Sequence, residues 1–272
     1  MASSAALPVQ NKESVFKLSR AMRRKADLLY LLTRKEIALK YKRSLLGIFW
    51  SLLNPILLSL VFFVAFKVFM RFKVENYTFF LLSALFPWNW FLSSIVISAR
   101  SLVENVTLIK KVIFPRHYLV VSVILAQGVH LLFSLPILLV LAYTSGEGPS
   151  LNWLVGIPLL IAVQFFFTFG LALGISICNT FFRDIEYLVG VFLNLIFWMT
   201  PITYPMDAIP ARFHPYFMLN PLADIMAAWR ELFLHNHILW MNLGIGAAVA
   251  LLFLYIGFAV FIRLERRLDE VL

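Results

Sequence analysis

Charged residues are scarce in this sequence, and their scarcity excludes most soluble proteins. Asp, Glu, Lys and Arg make up 14% of the 272 residues, whereas soluble globular proteins carry roughly 25%. Hydrophobic residues supply 61% of the chain, and the mean hydropathy is +0.86. Apart from residues 1–45, no gap between the apolar stretches is long enough for a separate soluble domain. The composition therefore predicts a membrane protein.

Several chemical signatures are also missing. The chain has one cysteine, Cys178, which excludes an intrachain disulfide and a cysteine-based metal site. No GxxxxGK[ST] phosphate-binding loop occurs, so nothing indicates that the chain hydrolyses a nucleotide itself. His235 and His237 lie two residues apart, on different faces of a helix, which disfavours a metal site. Ionisable residues are nearly absent from the apolar stretches, which weakens the interpretation as an ion-coupled carrier.

Positive charge is abundant and unevenly placed. Of the 24 Lys and Arg, 19 lie in segments 1–46, 100–117, 179–186 and 263–272. Short loops rich in Lys and Arg stay in the cytoplasm, so both termini are predicted to be cytoplasmic and the number of crossings to be even. Because the basic residues flank apolar spans, they indicate topology and contact with membrane lipids rather than nucleic-acid binding.

Six apolar stretches have about the length that a membrane-spanning helix needs, which is roughly 20 residues. The predicted spans are residues 47–66, 77–99, 118–143, 151–178, 187–205 and 239–262. The predicted fold class is an all-α membrane protein with six transmembrane helices, formed by residues 46–272. Gly170 and Gly174, four residues apart, favour a close helix crossing.

Residues 1–45 and 201–238 do not fit a simple loop. The first mixes Leu and Ile with Lys and Arg, which predicts amphipathic helices at the cytoplasmic membrane surface. The second contains five prolines, which forbid one continuous helix, yet is too apolar for a solvated loop. We interpret residues 201–238 as short re-entrant or gate helices on the outer side. A passive amphipathic cap fits the composition equally well.

A helix is expected to begin inside this outer segment, at Asn220-Pro221. Asn is a favourable capping residue, and Pro is favourable at the first helical position. On this helix we expect Asp224, Arg230 and Glu231 to face water or one another.

Two predicted cytoplasmic segments have the character of contact surfaces. Residues 104–116 are amphipathic and charged, and end at Pro115-Arg116, which predicts a short helix able to enter a groove on a partner. The turn at 179–185 carries Arg183 and Asp184, which can pair locally or with a partner. A simple solvated connection is equally consistent with each segment.

Four motifs, read in order, resemble those of a known family. They are RKEIALKYKRSLLG at 34–47 with Trp50 and Asn54-Pro55 following, NVTLIKKVIFPR at 105–116, FRDI at 182–185 and TPITY at 200–204. In these motifs the chain resembles the membrane subunit of type-2 ABC exporters, in the polysaccharide branch that exports O-antigen, capsule or teichoic acid.

The resemblance implies partners and a substrate. It implies a homodimer with a channel near its interface, docked on two copies of a separate ABC ATPase. That ATPase would bind ATP and Mg²⁺, and this chain would hold no cofactor. The substrate would be a glycan on undecaprenyl pyrophosphate, moved from the cytoplasmic to the outer face of the bacterial inner membrane.

The resemblance also implies site residues. The coupling helix would contain Glu104, Asn105, Leu108, Ile109, Lys110 and Lys111. The cytoplasmic interface would contain Arg34, Lys35, Glu36, Lys42, Arg43, Arg183 and Asp184. The outer gate would contain Pro201, Pro205, Pro210 and Trp229. Because sugars stack on aromatic rings, the rings expected along the channel are Trp88, Trp90, Phe197, Trp198 and Tyr204.

Two other functional classes stay open at this point. A type-2 ABC permease for a small lipophilic compound would share the fold and the ATPase partner. A membrane-embedded enzyme acting on lipid-linked sugars would need acidic or His residues clustered at a membrane face. The outer acidic residues form no obvious pair, and they are Glu75, Glu147, Asp207, Asp224 and Glu231.

Overall fold

The structure is a computed structural model that describes residues 10–42, 44–71, 73–146, 148–218 and 220–268. Over these ranges the chain is helical and contains no strand, which confirms the predicted all-α class. In chain order the α-helices are α1 (Gln10–Lys40), α2 (Trp50–Phe62), α3 (Tyr77–Glu104), α4 (Val106–Lys111), α5 (His117–Thr144), α6 (Asn152–Phe181), α7 (Ile185–Trp198), α8 (His214–Met218), α9 (Pro221–His235) and α10 (Trp240–Glu265).

Five helical segments of the described chain are long and apolar enough to cross a membrane. They are Leu52–Phe69, α3, α5, α6 and α10. The predicted span 187–205 corresponds to α7, which has 14 residues and extends only about 21 Å at 1.5 Å per residue. This helix ends at Trp198, before the predicted boundary, because Pro201 and Pro205 prevent its continuation. A sixth full crossing therefore stays a prediction.

The first predicted span is irregular at both ends. It begins with a 3-10 turn at Gly47–Phe49, continues as α2 and becomes π-helical over Phe63–Phe69. Pro55 lies in its early turns, as the sequence indicated. Only 11% of its 18-residue apolar stretch, Leu52–Phe69, is buried within the chain, against 72% of the 18-residue apolar stretch of α3. The span therefore lies at the edge of the bundle, and α3 lies at its centre.

The helix α3 contacts α2, α5, α6, α7 and α9, and so connects most of the bundle. Its buried face is mainly aromatic and aliphatic, and it includes Phe79, Leu81, Leu85, Trp88 and Phe91. Such close packing of large side chains fixes the positions of the neighbouring helices. Most of the elements that carry the candidate sites are positioned by contact with α3, whereas α1 packs on α5.

Helices α6 and α10 cross at glycines and form the most extensive helix pair of the described chain. A Cβ atom at Gly257 would lie 1.9 Å from the carbonyl oxygen of Gly170, and one at Gly170 would lie 2.4 Å from the Leu254 nitrogen. The predicted close approach at Gly170 is confirmed. Small residues allow this backbone contact, which in a membrane replaces the hydrophobic effect as a source of helix association.

The substitution Gly257→Ala is expected to destabilise the protein by about 1–3 kcal/mol, because the added methyl group must separate two backbones. Thermal unfolding of the purified protein in detergent measures this change. The matched control is Gly244→Ala on the same helix, where a Cβ meets nothing within 4 Å. Equal unfolding temperatures for the two variants would contradict the crossing.

Candidate functional site

The irregular backbone that follows α7 is hydrogen-bonded by side chains from two other helices. Arg230 of α9 donates from Nη1 to the Pro201 carbonyl at 2.8 Å and from Nη2 to the Ile202 carbonyl at 2.8 Å. The hydroxyl of Tyr77, at the start of α3, donates to the Thr203 carbonyl at 2.7 Å. Three consecutive carbonyls of the TPITY motif are thus satisfied where the prolines interrupt helical hydrogen bonding.

Arg230 faces the protein interior, and the expectation that it faces water or an acidic residue was wrong. Its guanidinium carbon lies 3.7 Å from the ring centroid of Phe80, a cation–π contact. Burial lowers the pKa of Arg230 to about 9, which leaves the guanidinium charged at neutral pH. Asp224 instead accepts from Asn242 at 3.2 Å, and Glu231 lies 3.0 Å from His235.

The predicted start of α9 is confirmed, and its cap also contacts the end of α7. The side-chain oxygen of Asn220 accepts from the Leu222 amide at 3.1 Å, and Pro221 occupies the first helical position. The Asn220 Nδ2 atom donates to Thr200 Oγ1 at 2.9 Å. One side chain therefore starts α9 and binds the motif that follows α7.

A buried hydrogen-bonded chain joins α3, α6 and α9. Gln164 Nε2 donates to the Pro87 carbonyl at 2.7 Å, and Gln164 Oε1 accepts from Trp229 Nε1 at 2.7 Å. Gln164 and Trp229 are both fully buried. An amide without a hydrogen-bond partner costs free energy in an apolar interior. These two hydrogen bonds therefore hold Pro87, Gln164 and Trp229 in fixed positions relative to one another. Trp229, a predicted gate residue, therefore acts here as a core residue.

The predicted gate residues are distributed between core and surface. Pro201 is buried, Pro205 is half-buried and Pro210 is exposed. After Pro205 the chain forms short 3-10 turns at Met206–Ala208 and Ala211–Phe213, followed by α8. The segment thus consists of short helical turns, as its prolines predicted.

The predicted interface and coupling residues meet at one end of the bundle. Lys35 of α1 donates from Nζ to Asn105 Oδ1, and Asn105 Nδ2 donates to the Ser101 carbonyl at 2.7 Å. Glu36 lies 3.5 Å from the Lys35 ammonium group. Asn105 also separates α3 from α4. The long-range Lys35–Asn105 contact therefore places the end of α1 beside α4.

The short helix α4 has one apolar and one charged face. Leu108 and Ile109 are partly buried and pack against the core, whereas Lys110 and Lys111 are exposed at its C-terminal end. Ile113, just beyond, is a fully exposed aliphatic residue. Leu108 and Ile109 therefore orient the helix, and the lysines with Ile113 form its accessible surface.

The turn after α6 lies at this same end. Asn179 Nδ2 donates to the Ala99 carbonyl of α3 at 2.9 Å, and Asn179 Oδ1 accepts from the Glu186 amide at 3.1 Å. Arg183 and Asp184 are exposed within the turn. The other predicted residues of this surface, Arg34, Lys42 and Glu104, are also exposed, and Arg43 lies outside the described residues.

The aromatic residues predicted for the channel do not form one surface. Phe197 packs at 5.5 Å from Trp88 and 5.3 Å from Trp198, measured between ring centroids. Tyr204 is close to this group, since its hydroxyl donates to the Trp198 carbonyl. Trp90 points instead towards α5, where its Nε1 donates to the Ile124 carbonyl at 3.1 Å. Of the five, only Trp198 is a largely exposed ring.

Within the described ranges, no group of His, Cys, Asp and Glu could hold a metal ion. The sites just described consist of backbone carbonyls, amides, aromatic rings and basic side chains. Such groups position helices and can bind polar or anionic partners.

The family of this chain follows from comparison with known proteins. The ABC-2 type transporter family matches residues 27–234, so the chain belongs to that family of multi-pass membrane permeases. The O-antigen export system permease protein RfbA of Klebsiella pneumoniae is 38% identical over 90% of this chain and 95% of its own length. RfbA of Myxococcus xanthus is 32% identical over 82% of this chain and 86% of its own.

A more distant relative belongs to a polysaccharide transport system as well. The polysialic acid transport protein KpsM of Escherichia coli is 21% identical over 84% of this chain and 89% of its own length. The aligned regions of all these relatives extend well beyond the predicted motifs. The similarity is therefore to whole membrane domains.

The substitution Arg230→Gln is expected to lower the unfolding free energy by at least about 2 kcal/mol, because it leaves buried carbonyls without a charged donor. Thermal unfolding measures the loss, and limited proteolysis of residues 199–218 reports whether the segment is released. Arg230→Lys keeps the charge but not the forked geometry, and should be intermediate. The control is Arg212→Gln, since Arg212 is exposed and stacks on Phe213. If Arg212→Gln lowered the unfolding free energy as much as Arg230→Gln, the proposed structural role of Arg230 would be refuted.

Proposed function

We propose that this chain is the permease subunit of an ATP-driven exporter, which moves a lipid-linked polysaccharide across the bacterial inner membrane. The observation that carries the proposal is the similarity to O-antigen export permeases over nine-tenths of the chain. The substrate we propose is an O-antigen-like glycan on undecaprenyl pyrophosphate. Both termini lie in the cytoplasm in this proposal, as the distribution of Lys and Arg predicts.

A separate ATPase supplies the energy in this proposal. Membership of the ABC-2 family implies such a partner, and the chain itself has no phosphate-binding loop. The ATPase docks on the end of the bundle that carries α4 and the turn with Arg183. Lys110, Lys111 and Ile113 form an exposed basic and apolar surface there, which suits an acidic-rimmed groove. Asn105 transmits movement of α4 to α1 through Lys35.

A second copy of this chain covers the exposed face of α2 and α7. Leu57, Leu60 and Val61 on α2 are each at least half exposed, and so are Val191 and Phe192 on α7. The two helices are adjacent, because Phe62 stacks on Phe197 with 6.0 Å between ring centroids. Because α7 is too short to cross a bilayer alone, a path between two copies suits it better than a lipid-facing position.

The segment 201–238 forms the outer gate in this proposal. Its first residues are bound by Arg230 and Tyr77, and the preceding Thr200 is bound by Asn220, which gives the segment a fixed base. Its middle part, with Pro205 and Pro210, has short turns and few buried contacts. A gate needs such a low-stability segment on a rigid base.

Deletion of the gene from its host is expected to abolish surface display of the glycan and to cause lipid-linked glycan to accumulate inside the cell. Immunoblotting of the cell surface and mass spectrometry of extracted lipids measure the two effects. The unaltered gene supplied in trans should restore display. Normal display with no intracellular accumulation would overturn the proposed function.

The double substitution Lys110→Glu/Lys111→Glu is expected to reduce ATPase stimulation and glycan display at least about tenfold, because it places like charges against an acidic-rimmed groove. ATP hydrolysis by the reconstituted complex measures the effect. The matched control is Lys73→Glu, an exposed lysine in the α2–α3 connection. Unchanged hydrolysis in the double variant would argue against α4 as the coupling helix.

A further inference from the structure

A polar cavity of about 320 Å³ lies between the end of α1, the start of α2, α3 and α5. Its wall includes Gln127, ten residues into α5, which corresponds to about 15 Å along that helix from its start. The cavity therefore reaches into the apolar part of the bundle, and it opens beside the exposed residues Lys40, Trp50 and Asn54. Its volume is at the lower end of the range for small-molecule sites, roughly 300–1,000 Å³.

Two amide side chains in the wall have no hydrogen-bond partner in the described chain. Asn54 of α2 and Asn89 of α3 both line the cavity, and neither takes part in the side-chain hydrogen bonds found among the described residues. Amide groups at membrane depth are costly unless a polar partner is present. These two residues are therefore positioned to bond to something that enters the cavity.

A cation faces the same space without a carboxylate. The Lys40 ammonium group donates to Gln127 Oε1 at 2.7 Å, and Gln127 is 4% exposed. Tyr41 extends this wall by contacting the ring of His130. No Asp or Glu is present among the described residues that line the cavity. The charge of Lys40 is held in place by a neutral amide and is available to an anion.

Aromatic rings complete the wall. Trp50 is half exposed and Trp90 is fixed by its bond to the Ile124 carbonyl, and both line the cavity. Trp rings beside amide side chains provide apolar stacking together with hydrogen bonds. A ligand that suits this cavity has an anionic group, neighbouring hydroxyl or amide groups, and an apolar face.

We propose that this cavity binds the headgroup of a phosphorylated glycolipid, with Lys40 at the phosphate and with Asn54 and Asn89 at the first sugar. The inference rests on the proposed function, since a lipid-linked glycan has this combination of groups. A lysine ammonium group binds phosphate as a point charge, with a charge-assisted hydrogen bond. The site would hold the headgroup of the lipid carrier between α1, α2, α3 and α5.

The test measures binding of a defined probe to the complex of this chain with its ATPase, reconstituted in nanodiscs. The probe is a short polyprenyl pyrophosphate that carries one N-acetylglucosamine, and native mass spectrometry gives its dissociation constant. We expect Lys40→Gln to weaken binding by about tenfold or more and Lys40→Arg to stay close to the unaltered complex. Lys73→Gln is the control for loss of one positive charge.

Substitutions at Asn54 and Asn89 distinguish a role in ligand binding from a role in stabilising the fold. Asn54→Leu and Asn89→Leu are expected to weaken binding of the probe while the unfolding temperature stays equal or rises, since each removes an unpaired polar group. A lower unfolding temperature with unchanged binding would show that the amides serve the fold. That result would overturn the inference.

Competition identifies the source of the phosphate. Displacement of the probe by phosphatidylglycerol at equal concentration would show an ordinary lipid site, and displacement by inorganic pyrophosphate would show that sugar and lipid contribute nothing; either overturns the inference. If Lys40→Gln binds the probe unaltered while the glycan is still displayed, the inference fails and the proposed function stands. If the unaltered complex neither binds the probe nor supports display, both fail.

Discussion

The requirement that every backbone group find a partner away from water governs the region around α7. This helix ends at Trp198, and the prolines beyond it interrupt the regular hydrogen bonds that would otherwise satisfy the chain. Arg230 supplies donors to two of the following carbonyls, and Tyr77 supplies one to the third. A buried guanidinium is expensive to desolvate, and its three carbonyl acceptors and the ring of Phe80 offset that cost. The irregular segment can be buried in the protein because these side chains reach its carbonyl groups.

The same arrangement connects the helices that carry the proposed gate. Arg230 lies next to Trp229, which bonds to Gln164, and Gln164 in turn bonds to the Pro87 carbonyl. Adjacent residues of α9 are therefore bound to the end of α7 on one side and to α6 and α3 on the other. A movement of α9 would also displace the TPITY motif, so α9 and this motif are expected to move together. The part of the proposed gate with the fewest buried residues is the chain between Pro205 and α8.

Periodic and local signals were readable from the sequence, whereas long-range pairings were not. The apolar stretches predicted the helices, Asn220-Pro221 predicted the start of α9, and Gly170 predicted a close crossing. Arg230 was predicted to face water because the residue is charged. Its helical spacing indicated the buried face instead, since it follows the buried Met226 by four residues and precedes the buried Phe233 by three. The cavity at Lys40 joins residues 87 positions apart, and no local pattern encodes such a contact. The length of α7 was overestimated because apolar composition continued past the prolines.

The glycine crossing of α6 and α10 also limits how the molecule can work. Side chains at an ordinary helix interface can change rotamer and let the helices slide, but here a Cβ would lie 1.9 Å from a carbonyl oxygen, so backbone meets backbone. Sliding one helix past the other would lift them apart and lose the contact outright. The pair is therefore a rigid unit of the molecule, and movement during transport is better accommodated by α2 and α7, which have few buried residues.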